Sequence, residues 1–332
     1  MAYLLAQFLL LATIIVVTGT FLARYGDAIG ERSGLGGSLA GLILLAGATS
    51  LPEMTVSVNS ALLGAPDLAV GDLLGASLFN LLILAAIDLS YQPRGSMLSR
   101  MAAAHALSAT MAIVLAGLAL LSILVHSGWT FLGIGGGSWL VLMAYILGMR
   151  LVFYDQRFAI KQLGERPTSS ETGHIRLSTA IFGFILAATV LVFTAPRLAA
   201  TADELARLSG LGRTFIGTTL VALSTTLPEL VTTFTAVRIG ARDLAVGNIF
   251  GSNSFNMAML PIVDFFYPGS LLSSVDPTHA ITAGSAIIVM SVAIMGLLYR
   301  AEKRLWFIEP DAALVIVAVF AALGMIYAMR PA

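Results

Sequence analysis

Thr49-Ser50-Leu51-Pro52-Glu53 sets a carboxylate and a proline inside an apolar run from Gly36 to Leu63. A carboxylate at bilayer depth costs at least ~2.5–3.5 kcal/mol, so it is kept where it faces a cavity, a partner or an ion. Pro52 has no amide donor and frees the carbonyl one turn before it. A freed carbonyl at that depth needs protein or a wet cavity to satisfy it. The same chemistry returns as Thr225-Thr226-Leu227-Pro228-Glu229. Thr49 and Ser50 precede Glu53 by four and three residues, a spacing that predicts one shared helix face. Asn80 follows in the next span, and the second copy adds Asn256. The pooled groups are all oxygen: two carboxylates, four hydroxyls, two amides and the freed carbonyls. Such a set suits a hard cation, chiefly Ca²⁺, and two carboxylates balance one divalent charge. With no cysteine in the chain and no histidine in either motif, zinc and copper fit poorly.

Membrane spans must position these groups. The chain has 332 residues, 58% of them hydrophobic and 11% charged, and its mean hydropathy is +0.93. Soluble domains carry roughly 25% charged residues, so an all-α polytopic membrane protein is expected. At about 20 apolar residues per span, the sequence predicts ten transmembrane helices. They run over 2–23, 36–64, 67–90, 101–125, 129–152, 176–199, 212–238, 243–267, 279–299 and 310–329. Tyr3 to Leu22 lacks a basic segment before it and is taken as a retained span. The longest polar connector, 154–175, separates a first five-helix repeat (1–153) from a second (176–332). Of the 18 lysines and arginines, all but Arg197, Arg207, Arg213 and Arg330 fall on one side of this alternation. The positive-inside rule then puts the linker in the cytoplasm and both termini outside.

The halves are copies. A shift of 176 positions matches 14 of the 32 residues from Thr49 to Asn80 without a gap, including Asp67-Leu-Ala-Val-Gly71 on Asp243-Leu-Ala-Val-Gly247. An odd span number per half turns the second copy over, giving two inverted-topology five-helix repeats. In that architecture the site lies near the midplane, where interrupted helices of both halves meet. Gly71, Gly75, Gly247 and Gly251 form GxxxG pairs suited to close helix approach.

These motifs resemble the paired alpha-repeats of the sodium/calcium exchangers, within the wider cation/calcium exchanger superfamily, over Gly41–Leu82 and Gly217–Met257. The resemblance implies alternating access, with Na⁺ and Ca²⁺ competing for overlapping sites in a cell (inner) membrane. It assigns Glu53 and Glu229 as shared central ligands, Thr49 and Thr225 as further oxygens, and Ser50 and Thr226 nearby. It places the carbonyls of Ala46 and Ala222 where the family uses main-chain ligands, and Ser252 on a family Na⁺ ligand. Two departures stand out. Ala76 replaces the usual serine of the first copy, and Asn80 and Asn256 are both asparagines, where sodium-coupled members often pair asparagine with aspartate. The symmetrical pair is similar to the proton-coupled branch.

The expected function is therefore Ca²⁺/Na⁺ antiport, with a cation/proton antiporter as the alternative and a passive cation channel ranked below. No nucleophile–base set, Walker or HExxH pattern points to an enzyme. No cofactor beyond the transported ions is implied. No basic run points to nucleic acid, and no obligate protein partner is inferred. Asp72, opposite Asn248 in the repeat, is a candidate for a secondary role. Asp67 and Asp243 are expected as helix caps. Asp88 and Asp264 could line cation paths, though the interface is the favoured place for both; His105 and His126 are expected as packing or interface residues, and Trp129, Trp139 and Trp306 near span ends.

Overall fold

The computed structural model describes residues 2–90, 102–163, 172, 175–208, 224–298 and 310–328. It is helical nearly throughout. In chain order the helices are α1 (Ala2–Ser33), α2 (Gly36–Leu39), a π-helical turn (Ala40–Leu45), α3 (Ala46–Thr49), α4 (Leu51–Leu62), α5 (Pro66–Ser90), α6 (Ala102–Val125), α7 (Gly136–Leu163), α8 (Leu177–Leu208), α9 (Leu227–Arg238), α10 (Arg242–Phe265), α11 (Leu271–Ser274), α12 (Thr278–Leu298) and α13 (Pro310–Ala328). A two-residue hairpin, β1 (Thr130–Phe131) on β2 (Ile134–Gly135), joins α6 to α7.

Among the described residues six helices are long and apolar enough to cross a bilayer. The pair Gly36–Thr49 and Leu51–Leu62, bent by 44°, is a seventh if taken as one broken span. The other expected spans differ for physical reasons. Span 212–238 begins outside the described residues. Helix α10 is interrupted by a polar run, Ser252-Asn253-Ser254-Phe255-Asn256. The apolar part of α13 is short, Ala312–Ile326. Large apolar side chains such as Leu10, Phe21, Phe182, Phe193, Val317 and Phe320 are exposed on these helices, as surfaces that meet lipid rather than water require.

The chain folds as two compact units, Met1–Val56 with Glu165–Asn248, and Ser57–Gly164 with Ile249–Ala332. Each draws on both sequence repeats. In the first, α1 packs along α8 and α9. Its buried positions Leu11, Ile15, Gly19, Leu22 and Gly26 recur at three- and four-residue spacing, the stripe of a helix with one covered face. In the second unit, α12 packs on α5, α6 and α13.

Local geometry repeats at the 176-residue offset. Both Leu-Pro-Glu segments start a helix after a residue in the same bridge conformation: Ser50 at φ −88°, ψ 0°, and Thr226 at φ −84°, ψ 2°. That conformation is sparsely populated elsewhere. Each proline occupies the second position of its helix, where its missing donor is not needed. Both helices close alike. Gly64 (φ +70°) and Gly240 (φ +84°) adopt the left-handed conformation. Ala65 N–H donates to Ser60 O and Ala241 N–H to Ala236 O, at 2.9 and 2.8 Å, the six-to-one bond of a Schellman end.

Several sequence expectations are corrected. Thr49, Ser50 and Glu53 do not share one continuous helix face, because the break at Ser50 separates α3 from α4. Asp67 lies inside the first turn of α5 rather than capping it. Its carboxylate instead accepts the Asp276 N–H at 2.7 Å and sits 3.2 Å from His279 Nε2, tying α5 to the start of α12. The Thr278 N–H and hydroxyl in turn hold the exposed Asp276 carboxyl below its usual range. Asp243 is likewise inside the first turn of α10. Asp264 is fully buried. It accepts from Gly135 N–H (3.0 Å), Leu271 N–H (2.9 Å) and the Ser138 hydroxyl. Gly75 meets nothing within 4 Å, and Gly71 packs on the His279 ring rather than on backbone. Asp88 and His105 are buried as well, and His105 packs as expected. Trp306 lies outside the described residues.

Candidate cation site

The first unit holds the glutamates of both motifs. Thr49, Ser50, Glu53, Thr225, Thr226 and Glu229 are each at most 1% exposed, and Ala46 is fully enclosed. The Ser50 hydroxyl donates to Glu229 Oε1 at 3.3 Å. The break makes this meeting possible, since a residue in the bridge conformation turns its side chain out of the preceding helical row. Ala222 lies outside the described residues.

The Thr49 hydroxyl proton has three protein acceptors around it: Leu45 O at 3.0 Å, Ala46 O at 3.3 Å and Asn248 Oδ1 at 3.5 Å. A hydroxyl whose proton is taken by the protein keeps its lone pairs for a cation. The π-helical turn before α3 loosens the backbone ladder just upstream of Ala46, a feature frequent at functional sites.

The second unit holds the amides. Asn80 Nδ2 donates to Asn253 Oδ1 at 3.0 Å, and Asn256 Nδ2 lies 3.5 Å from Leu73 O. Both amide nitrogens thus point into protein. The two Oδ1 atoms and the Ser252 hydroxyl are buried without a hydrogen-bond partner among the described residues. A buried polar atom with no protein partner is uncommon and calls for an explanation. These oxygens are of the type a hard cation takes. Asn253 was missed from sequence, although an asparagine three residues before Asn256 in a span was a visible signal. Asn248 with Thr232 and Thr233 was missed as well.

Among the described residues no three histidine, aspartate or glutamate side chains cluster as a metal centre. In the first unit the candidate oxygens are two carboxylates and neutral hydroxyls; in the second they are all neutral. That composition suits a cation that must be released again rather than one held permanently.

Buried carboxylates and hydroxyls at breaks in apolar helices are the chemistry of a membrane cation transporter. The chain belongs to the sodium/calcium exchanger protein family, whose profile matches residues 3–154 and 179–328. It is 29% identical to the putative antiporter CaxA of Alkalimonas amylolytica over 302 residues, 87% of this chain and 89% of that protein. It is 37% identical to the sodium/calcium exchanger MaX1 of Methanosarcina acetivorans over 116 residues, 34% of this chain and 33% of that one. The solved sodium-calcium exchanger NCX_Mj shares the fold, with a TM-score of 0.70 over 99% of both chains at 16% identity. By family and fold this is a cation/calcium exchanger.

Proposed function

We propose that the protein is a secondary antiporter exchanging Ca²⁺ for Na⁺ by alternating access. In this reading ten spans form two inverted five-helix repeats, 1–153 and 176–332, joined by a cytoplasmic linker, 154–175. Both termini lie outside a cell (inner) membrane. The alpha motifs 41–82 and 217–257 build one midplane site. Glu53 and Glu229 are the central ligands. Thr49, Ser50, Thr225, Thr226 and the carbonyls of Ala46 and Ala222 add oxygens, and Ser252, Asn80 and Asn256 complete the set. One Ca²⁺, or two or more Na⁺, neutralises the two carboxylates, which lowers the cost of moving them through an occluded state.

The observation that carries this reading is the Ser50–Glu229 hydrogen bond at 3.3 Å. It supports a single site fed by both motifs. The match to a protein named a sodium/calcium exchanger, MaX1, supports the ion pair. A Ca²⁺/H⁺ antiporter is the second reading. It is favoured by Ala76, which brings no hydroxyl where Ser252 stands, and by neutral asparagines at both 80 and 256. Reconstituted liposomes separate the two. Ca²⁺ uptake driven by an outward Na⁺ gradient supports the first reading. Uptake driven by a proton gradient alone, and indifferent to Na⁺, replaces it with the second. Flux without any counter-ion would indicate a channel.

A further inference from the structure

Asn248 makes contacts that neither its position in the repeat nor its residue type explains by packing alone. It is fully buried near the start of α10. Its amide nitrogen donates to Thr232 Oγ1 at 3.2 Å and Thr233 Oγ1 at 2.9 Å, both on α9. Its amide oxygen faces the Thr49 hydroxyl at 3.5 Å. Both amide protons and the oxygen therefore go to the two Leu-Pro-Glu segments.

The chain of contacts continues. The Thr232 hydroxyl donates to Pro228 O at 2.8 Å and lies 3.2 Å from Glu229 O. Asn248 thus reaches the backbone that carries Glu229 through one hydroxyl. Its neighbour Gly247 gives it a firm seat. A Cβ at Gly247 would lie 2.6 Å from Ser38 O, and one at Gly41 would collide with Leu244 O. Here two backbones touch, so the α10 register against the 36–49 segment has little freedom.

The first copy does not do the same. Its counterpart is Asp72, which accepts from the Ser57 hydroxyl at 3.2 Å. A carboxyl group has no NH₂ to give to two hydroxyls at once, so of these two residues only Asn248 can donate to a pair of hydroxyls and accept from a third.

We propose that Asn248 is a positioning residue of the cation site. It holds the first turn of α9, and with it Glu229, in one setting while taking part in the acceptor set that turns the Thr49 proton away from the ligand side. It touches no cation itself. The inference rests on the cation-exchange reading and adds to it a residue outside the donor set.

The test is ⁴⁵Ca²⁺ binding to the full-length purified protein, followed by exchange in liposomes. Asn248→Ala should weaken Ca²⁺ binding about tenfold, the effect of one or two lost buried hydrogen bonds. KM for Ca²⁺ should rise more than kcat falls. Thr232→Val and Thr233→Val, which keep the volume, should each weaken binding. Adding Asn248→Ala to the double valine variant should weaken it little further, because the residues act as one network. A folded Asn248→Ala protein that binds Ca²⁺ within twofold of wild type overturns the inference, as does strict additivity with the valines. If Asn248→Ala does not fold, the valine variants decide, and unchanged affinity in both overturns it. Wild-type protein that binds no Ca²⁺ sinks the functional reading, and this inference with it.

Discussion

The Ser50 hydroxyl and the Glu229 carboxylate lie 3.3 Å apart, although 179 residues separate them in the chain. Both are shielded from solvent. A hydrogen bond from a neutral hydroxyl to a buried carboxylate lowers its cost without cancelling its charge. In the proposed site a bound cation would add to what this hydroxyl supplies. This is the arrangement a carrier requires, because a carboxylate neutralised by a fixed arginine would have nothing left to bind.

Glu53→Gln and Glu229→Gln should each abolish Ca²⁺-driven flux while the protein still folds. Glutamine keeps the shape and removes the charge that a dehydrated divalent ion needs. Flux assays in liposomes, alongside elution as a sharp peak in size-exclusion chromatography, check this. Wild-type flux in either variant would remove these residues from the site.

Ser50→Ala tests the bond between motifs more gently. Hydrogen bonds to charged groups contribute ~1.5–3 kcal/mol, so Ca²⁺ affinity should fall by about tenfold or more. Because Ser50 also sits at the break, Ser50→Thr is the control. It keeps the hydroxyl, as Thr226 does in the second copy, and should retain most of the affinity.

The glutamates, hydroxyls and asparagines of the proposed site stood out because burying them in an apolar run is expensive, and because they occur twice in register. The break position was legible from Pro52 and Pro228. What sequence could not place was the consequence of the break. Helical spacing alone puts Thr49 and Glu53 on one face, whereas the bridge conformation at Ser50 ends that periodicity. The hydrogen bonding of Asp264 was out of reach for a related reason. Its hydrogen-bonding partners Gly135, Ser138 and Leu271 come from elements whose proximity no local pattern encodes. Asn248 was legible only as the counterpart of Asp72, because its partners Thr49, Thr232 and Thr233 are brought to it by packing that no local pattern encodes.

Gly41→Ala and Gly75→Ala should act in opposite directions. A Cβ on Gly41 runs into Leu244 O and lies 2.9 Å from Asn248 N, both backbone atoms that cannot step aside. Overpacking of that kind costs ~1–3 kcal/mol, so the melting temperature in detergent should drop. Gly75 has open space around it, and alanine in a helix interior is favoured over glycine by ~0.5–1 kcal/mol. That variant should melt at the same temperature or higher. Equal losses in both would show that the Gly41 contact is not tight.

Asp264→Asn should lower stability without changing the cation preference. Oδ2 accepts from the Gly135 N–H and the Ser138 hydroxyl, and Oδ1 accepts from the Leu271 N–H. An amide can match one of these oxygens but sets an NH₂ donor against donors at the other. Leaving a buried donor unsatisfied costs ~1–3 kcal/mol. Thermal unfolding should report the loss, while the ratio of Na⁺- to H⁺-driven uptake stays at the wild-type value. A shifted ratio would give Asp264 a role in the ion path.

Ala76→Ser bears on which ion is traded for calcium. Ala76 is buried and aligns with Ser252, whose hydroxyl has no hydrogen-bond partner among the described residues. The second copy thus presents a hydroxyl where the first presents a methyl group. A dehydrated Na⁺ needs every oxygen it can collect, whereas a proton needs only a carboxylate. If the chain couples to Na⁺ with one weak position, restoring the hydroxyl should lower the Na⁺ concentration for half-maximal Ca²⁺ efflux several-fold. If it couples to protons, the variant should leave pH-driven Ca²⁺ movement as it was and add at most a Na⁺ response that the wild type lacks. Titrating Na⁺ against ⁴⁵Ca²⁺ flux in wild-type and Ala76→Ser liposomes distinguishes the two. An unchanged Na⁺ dependence in a Na⁺-coupled wild type would show that position 76 does not face the ion.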